Sequence, residues 1–227
     1  MRFPFAVSYR ALVQPGTAFA SAPPTLGRAV RDMALVWIPL ALANTAWTVW
    51  RVLHVYGRLR GGTSMPGILG WLGVDPVDFH DLVTMLPAPP VFGRVWPWLG
   101  LIVPLGVLGT WLHHAVWDHL GLWLMGGLKE RRGFRTSLLA EAEALRIAAV
   151  GTLVGLLGHL PGLGVLLALP LLLLDAYLWL FRGFALAARH HCELWRGLAA
   201  TVVHAVLLGC LALSLLTLML FMVRMAA

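Results

Sequence analysis

Apolar residues run along this chain in long blocks, and polar residues interrupt them in short clusters. The blocks at about 33–53, 100–123, 144–160, 163–181 and 198–223 are each close to the roughly 20 residues that a helix needs to cross a bilayer. The pattern predicts an all-α polytopic membrane protein, a bundle of five transmembrane helices. A segment at 1–32 precedes a 33–227 transmembrane domain, and a Gly- and Pro-rich connection at 57–95 joins the first two spans. In the N-terminal segment, Phe5, Tyr9 and Leu12 share one helical face, which predicts a short interfacial helix around 5–13. In the connection, Asp75-Pro76 reads as an N-cap followed by proline at the first helical position, with a short helix from Pro76 to about Met85. The block from Val95 to Leu128 exceeds one perpendicular crossing, so Pro104 breaks it or the helix tilts.

Composition supports the same class. Of 227 residues, 59% are hydrophobic and 12% charged, against roughly 45–50% and 25% in soluble domains. Two cysteines, Cys192 and Cys210, make neither a disulfide framework nor a CxxC metal motif. The net charge of +7 is compatible with nucleic acid or anionic lipid. Because the arginines flank apolar blocks, the bilayer and its anionic headgroups are the expected partners, and nucleic acid is not. Arginine is used almost to the exclusion of lysine, with Lys129 alone, which suggests a GC-rich bacterial genome and hence the bacterial cytoplasmic (inner) membrane.

Positive charge also orients the bundle. Residues 1–32, the 126–141 loop and the 182–197 loop hold eleven Lys and Arg residues, against five on the other side. Since basic loops stay in the cytoplasm, the N-terminus is expected inside and the 57–95 loop outside.

With that orientation, polar residues collect at one depth. Asp118 and His119 lie about 6–8 Å from the cytoplasmic end of the second span, and Asp175 about 9 Å from that of the fourth. His204 sits at a similar depth, Arg146 near the end of the third span, and His114 one turn deeper on the face of Asp118. Ionisable groups inside a membrane are costly and often mark ion paths. His114, Asp118, His119, Arg146, Asp175 and His204 therefore form a candidate intramembrane polar layer. It is either a packing seam, with Asp118 or Asp175 paired to Arg146 or a histidine, or a chemical site. As a chemical site it makes His119, His204 and Asp175 candidate ligands for a transition metal, the one cofactor the residues admit. His190 and His191 fall in a predicted loop, where solvation is the ordinary fate. Gly151 and Gly155 form a small-residue face for packing within one chain or between copies of a homo-oligomer.

No HExxH, Gly-x-Ser-x-Gly, P-loop or dinucleotide fingerprint occurs, so no catalytic residue is assigned and no enzyme activity is expected.

The second half resembles the Yip domain family, membrane proteins named in eukaryotes for interacting with Ypt/Rab GTPases. The resemblance is carried by a histidine and apolar residues leading to Gly126-Gly127, then a basic loop, the turn from Pro161 to Gly164, and Gly183 followed by His190 or His191. Pro15 and Phe19 before the first span resemble bacterial members. The resemblance implies five spans with a cytoplasmic N-terminus, and for eukaryotic relatives a part in trafficking and membrane shaping. A bacterial chain has no Rab partners, so that role is not carried over. The fourth span is aliphatic at a place where the family usually has an aromatic, and Asp175 is not a feature of the family pattern. The leading expectation is a Yip-like integral membrane protein that organises, shapes or scaffolds its membrane. The alternative is a small transporter or ion-conducting protein that uses the His/Asp layer, and a third possibility is a lipid-acting membrane enzyme.

Overall fold

The computed structural model describes residues 9–61, 75–85, 87–128, 133–158 and 163–226. Phe5, Lys129–Arg132 of the basic loop, and the turn residues His159–Gly162, including Pro161, lie outside them. Among the described residues the chain is all-helical, with no strand. The helices are α1 (Tyr9–Val13), α2 (Pro15–Ala18), α3 (Leu26–Arg60), α4 (Pro76–Met85), α5 (Phe92–Leu124), α6 (Phe134–Leu157), α7 (Leu163–His190) and α8 (Leu194–Ala226). Four of these, α3, α5, α7 and α8, are long and apolar enough to cross a membrane. Helix α6 carries Glu141, Glu143 and Arg146 within its length and is not among the four.

Several helices run further than the apolar blocks. α3 extends to Arg60, and α5 starts at Phe92 and continues through Pro97 and Pro104 without a break. Proline is tolerated inside membrane helices when neighbours re-satisfy the freed backbone carbonyl. α4 occupies the expected range, and the Asp75 carboxylate accepts a 2.7 Å hydrogen bond from the Val77 N–H. The largest departure is in α7. The expected span ended at 181 and left Arg182, Arg189 and His190 in a loop, whereas the helix continues to His190 and buries all three. A bilayer thickness limits the apolar stretch of a helix, not the helix.

The chain forms two compact units, residues 41–105 and residues 1–40 with 106–227. In the first, Tyr56 donates a 2.7 Å hydrogen bond to the Pro87 carbonyl, and the Trp50 and His54 rings stack. The second contains every residue of the candidate polar layer. There α7 is central, flanked by α6 on one side and α8 on the other.

Its core is built from small residues around a few aromatics: Leu122, Ala140, Ala144, Ile147, Phe181, Ala185, Leu186 and Ala200, with Phe19 against Phe181 at 5.5 Å between ring centroids. Lipid tails are as apolar as leucine, so helices in a membrane associate through close packing and polar contacts rather than apolar burial. Glycines set that closeness. A Cβ at Gly183 would lie 2.8 Å from the Gly197 carbonyl oxygen and from Leu198 Cα, and one at Gly121 would lie 2.5 Å from the Ala200 carbonyl oxygen. Gly151 is buried against Leu178, while Gly155 faces open space.

The N-terminal residues join this core. Ala11 and Leu12 of α1 pack against it, and the Tyr177 hydroxyl donates to the Leu12 carbonyl. Outside the core, helix surface is left exposed: Leu211, Leu213, Leu215, Leu216 and Leu218 of α8 all face outward.

Candidate functional site

Three polar assemblies hold α5, α6, α7 and α8 together, and the sequence pattern separates two of them. Successive residues on a helix point about 100° apart, so Asp118 and His119 of α5 face different neighbours.

Asp118 enters the first assembly with His204 of α8 and Arg182 of α7. Asp118 and His204 are fully buried, and Arg182 is 2% exposed. His204 Nδ1 lies 2.5 Å from Asp118 Oδ1. The imidazole donates, which places its hydrogen on Nδ1 and leaves Nε2 closed to solvent without a partner. Arg182 Nη2 is 3.6 Å from Asp118 Oδ2, an ion pair rather than a hydrogen bond. Its approach to His204 Nδ1 at 3.5 Å brings two donors together and is contact only. The guanidinium donates through Nη1 to His114 Nδ1 and through Nε to the Trp179 carbonyl at 3.2 Å, while its Cζ sits 4.0 Å from the Trp179 ring centroid. Trp179 in turn donates from Nε1 to the Thr201 carbonyl at 2.9 Å.

Glu141 of α6 completes the charge count. It is fully buried, its carboxyl lies against that of Asp118 in a side-chain hydrogen-bond interaction, and it sits in the field of Arg182. One cation faces two carboxyls here. Burying an unpaired charge is far more costly than burying a neutral acid. The arrangement that balances Arg182 is one ionised carboxylate, Asp118, and one carboxylic acid, Glu141.

His119 enters the second assembly. Its Nδ1 lies 2.8 Å from Ser137 Oγ, and the same hydroxyl lies 2.9 Å from His190 Nε2. A hydroxyl has one hydrogen, so it donates to one imidazole and accepts from the other. His190, expected to be solvated, is buried.

The third assembly joins the helix ends. Arg189 forks onto Glu143 at 2.6 and 2.8 Å and donates to the Ser21 carbonyl at 3.0 Å, which ties the segment before α3 to α6 and α7. α5 ends in a Schellman turn: the Gly127 N–H reaches the Leu122 carbonyl, the Gly126 N–H reaches the Trp123 carbonyl, and Gly126 sits at φ 67°. The Gly126 carbonyl accepts a 2.7 Å hydrogen bond from Arg196 of α8. Gly164 tucks the start of α7 against Gly158, where a Cβ would lie 2.6 Å from that carbonyl oxygen.

The expected layer is thus partly assembled. His114, Asp118 and His204 meet. His119 belongs to a different assembly. Arg146 is half-buried and takes part in none of the ion pairs among the described residues, and Asp175 is exposed. His119, His204 and Asp175 do not converge, and among the described residues no three His, Cys, Asp or Glu side chains are placed to hold a metal ion. The sequence reading missed Arg182 and Glu141. The small residues beside Arg182, Gly183 and then Ala185, Ala187 and Ala188, signal a tightly packed helix rather than a loop.

A partly open pocket of about 260 Å³ adjoins the first assembly, with Arg182 and His114 in its wall together with Trp37, Thr152 and Asp175. No protein-family model matches the chain, and no curated protein and no solved structure does so either.

Proposed function

We propose that this chain is a Yip-type integral membrane protein with five membrane segments, α3, α5, α6, α7 and α8, that organises or shapes the bacterial cytoplasmic membrane as a scaffold. The N-terminus lies in the cytoplasm, where the basic residues flanking the segments meet anionic headgroups. One observation carries this reading. The residues that bear the family resemblance are also those that fasten the bundle: Phe19 packs on Phe181, Gly126 turns α5, Gly183 meets α8, and His190 reaches His119 through Ser137. Their spacing thereby answers to a physical requirement of the bundle. The exposed apolar surface of α3, α5 and α8 supports a protein with most of its contacts to lipid. The test is reconstitution into vesicles at rising protein density, imaged by electron cryo-microscopy. Vesicles that change shape with density support the scaffold, and vesicles that keep the shape of protein-free controls at the highest density oppose it.

A second reading, a small transporter, is favoured by one feature, the fully buried Glu141 carboxyl against Asp118 and in the field of Arg182. A carboxyl in that position is able to take and release a proton. Solute-driven proton uptake by proteoliposomes that Glu141→Gln abolishes, with the variant still folded, is the result that selects transport over scaffolding.

A further inference from the structure

We propose that the pocket lined by α6 and α7 binds a small amphiphilic monocation, an amine with a short aliphatic chain, whose ammonium pairs with Asp175. The inference stands on the pocket alone. It holds if the bundle only scaffolds the membrane, and under the transport reading it names the substrate class.

Asp175 lies about 20 Å from either end of α7, at 1.5 Å per residue. Ionisable groups so placed in a membrane helix face a cavity or a partner and mark substrate paths. Asp175 has the cavity and lacks the partner. It lines the pocket, it is exposed, and among the described residues it makes neither an ion pair nor a hydrogen bond. The neighbouring helix makes room for its carboxylate. A Cβ at Gly151 of α6 would lie 3.6 Å from Asp175 Oδ1, so the carboxylate lies over a position that has no side chain.

The other charges near the pocket leave Asp175 uncompensated. Arg182 belongs to the wall, but its guanidinium is enclosed by Trp179 and His114 and matched by Asp118. His114 accepts from Arg182 through Nδ1 and is therefore a neutral imidazole. Arg146 is five residues before Gly151 on α6 and points about 140° away from it round the helix. The pocket thus presents one negative charge.

That charge and its surroundings decide the ligand class. An anion is repelled. A metal ion takes several oxygen ligands, and beside Asp175 the only other side-chain oxygen in the wall is the Thr152 hydroxyl. An organic monocation needs one carboxylate and an apolar surface. Trp37, Leu145, Ala148 and Leu178 supply that surface, and aromatic rings also attract cations. A volume of about 260 Å³ limits the ligand to a small solute. An amine carried by a phospholipid has the same charge, but its headgroup sits at the interface of a hydrocarbon core roughly 30 Å thick, far from the middle of α7. A free amine fits the position better.

The test uses the full chain purified in a non-ionic detergent at neutral pH, with thermal melting as readout. The probes are hexylamine, the neutral hexanol, the anionic hexanoate and dioctanoyl phosphatidylethanolamine. Hexylamine is expected to raise the melting temperature, hexanol and hexanoate to fail, and Asp175→Asn to weaken hexylamine binding by about tenfold or more. Ala148→Leu fills the pocket without touching the charge and is expected to lose the response as well. Leu169→Ala, on the exposed apolar surface of α7, is expected to bind as the parent does. Melting of each variant without ligand confirms that it is folded. Equal shifts from hexylamine and hexanol overturn the proposal, as does an unchanged response in Asp175→Asn or in Ala148→Leu. A shift from the phosphatidylethanolamine with none from hexylamine overturns the free-amine assignment and makes a lipid headgroup the ligand. Vesicle shape and proton uptake are read separately, so failure here is distinct from failure of the proposed function.

Discussion

His204 and Asp118, 86 residues apart in sequence, meet at 2.5 Å between Nδ1 and Oδ1 with both side chains sealed from solvent. Arg182 adds a third helix to the pair, so α5, α7 and α8 share one buried charge balance. Such a junction is costly to assemble and costly to break by halves. Its pieces repay desolvation only when all are present.

Asp118→Asn removes the negative member and leaves Arg182 buried without its counter-charge. Unfolding in mixed micelles is expected to show a loss of about 3–5 kcal/mol. Glu141→Gln, which only replaces one neutral group by another beside the Asp118–Arg182 pair, is expected to cost about 1 kcal/mol or less. Equal losses from the two variants contradict the division of charge between these carboxyls.

Glycine substitutions separate the close helix contacts from the open ones. Gly183→Ala and Gly121→Ala drive a methyl group into the backbone of α8 and are expected to destabilise by about 1–3 kcal/mol each. Gly155→Ala meets nothing within 4 Å and removes a flexible residue from a helix. It is expected to be neutral or to stabilise by up to about 1 kcal/mol. Melting of the three variants in one detergent makes the comparison.

Ser137→Ala deletes the hydroxyl between His119 and His190 and leaves facing imidazole nitrogens with nothing between them. The expected loss is about 1–3 kcal/mol, accompanied by faster hydrogen exchange at the start of α6. Ser137→Thr keeps the hydroxyl and is expected to retain more of the stability than alanine does.

α7 ends with His191 at φ 53° and the Cys192 N–H bonded to the Ala187 carbonyl, a turn that glycine makes without strain. His191→Gly is expected to stabilise by about 1 kcal/mol, because His191 is exposed and only its backbone conformation is constrained. A drop in melting temperature assigns the imidazole a contact of its own.

How much of this was legible in the sequence depends on what each residue signals. The long apolar blocks mark the membrane helices because bilayer thickness imposes their length. His114 and Asp118 are paired by their spacing of four, and they do share one assembly. Their meeting with His204 depends on how three helices rotate about their axes, which no single helix encodes. Arg182 was misplaced for a different reason. A basic residue after an apolar run reads as a membrane boundary, yet here the helix continues and Trp179, His114 and Asp118 enclose the guanidinium. Asp175 shows the reverse, since its depth suggested membership of the layer while its side chain faces outward at the pocket. Gly183 was picked out by family resemblance. Its partners Gly197 and Leu198 carry no periodic signal and emerge only from the packing.

The most direct test of the junction is a double-mutant cycle on Asp118→Asn and His204→Gln, with unfolding free energies measured in mixed micelles for the parent, both single variants and the double variant. If these residues fasten α5 to α8 as a unit, the double variant loses less than the two single losses together, with a coupling of about 1–3 kcal/mol. Losses that add to within about 0.5 kcal/mol contradict the account, since two residues that do not share a contact behave that way.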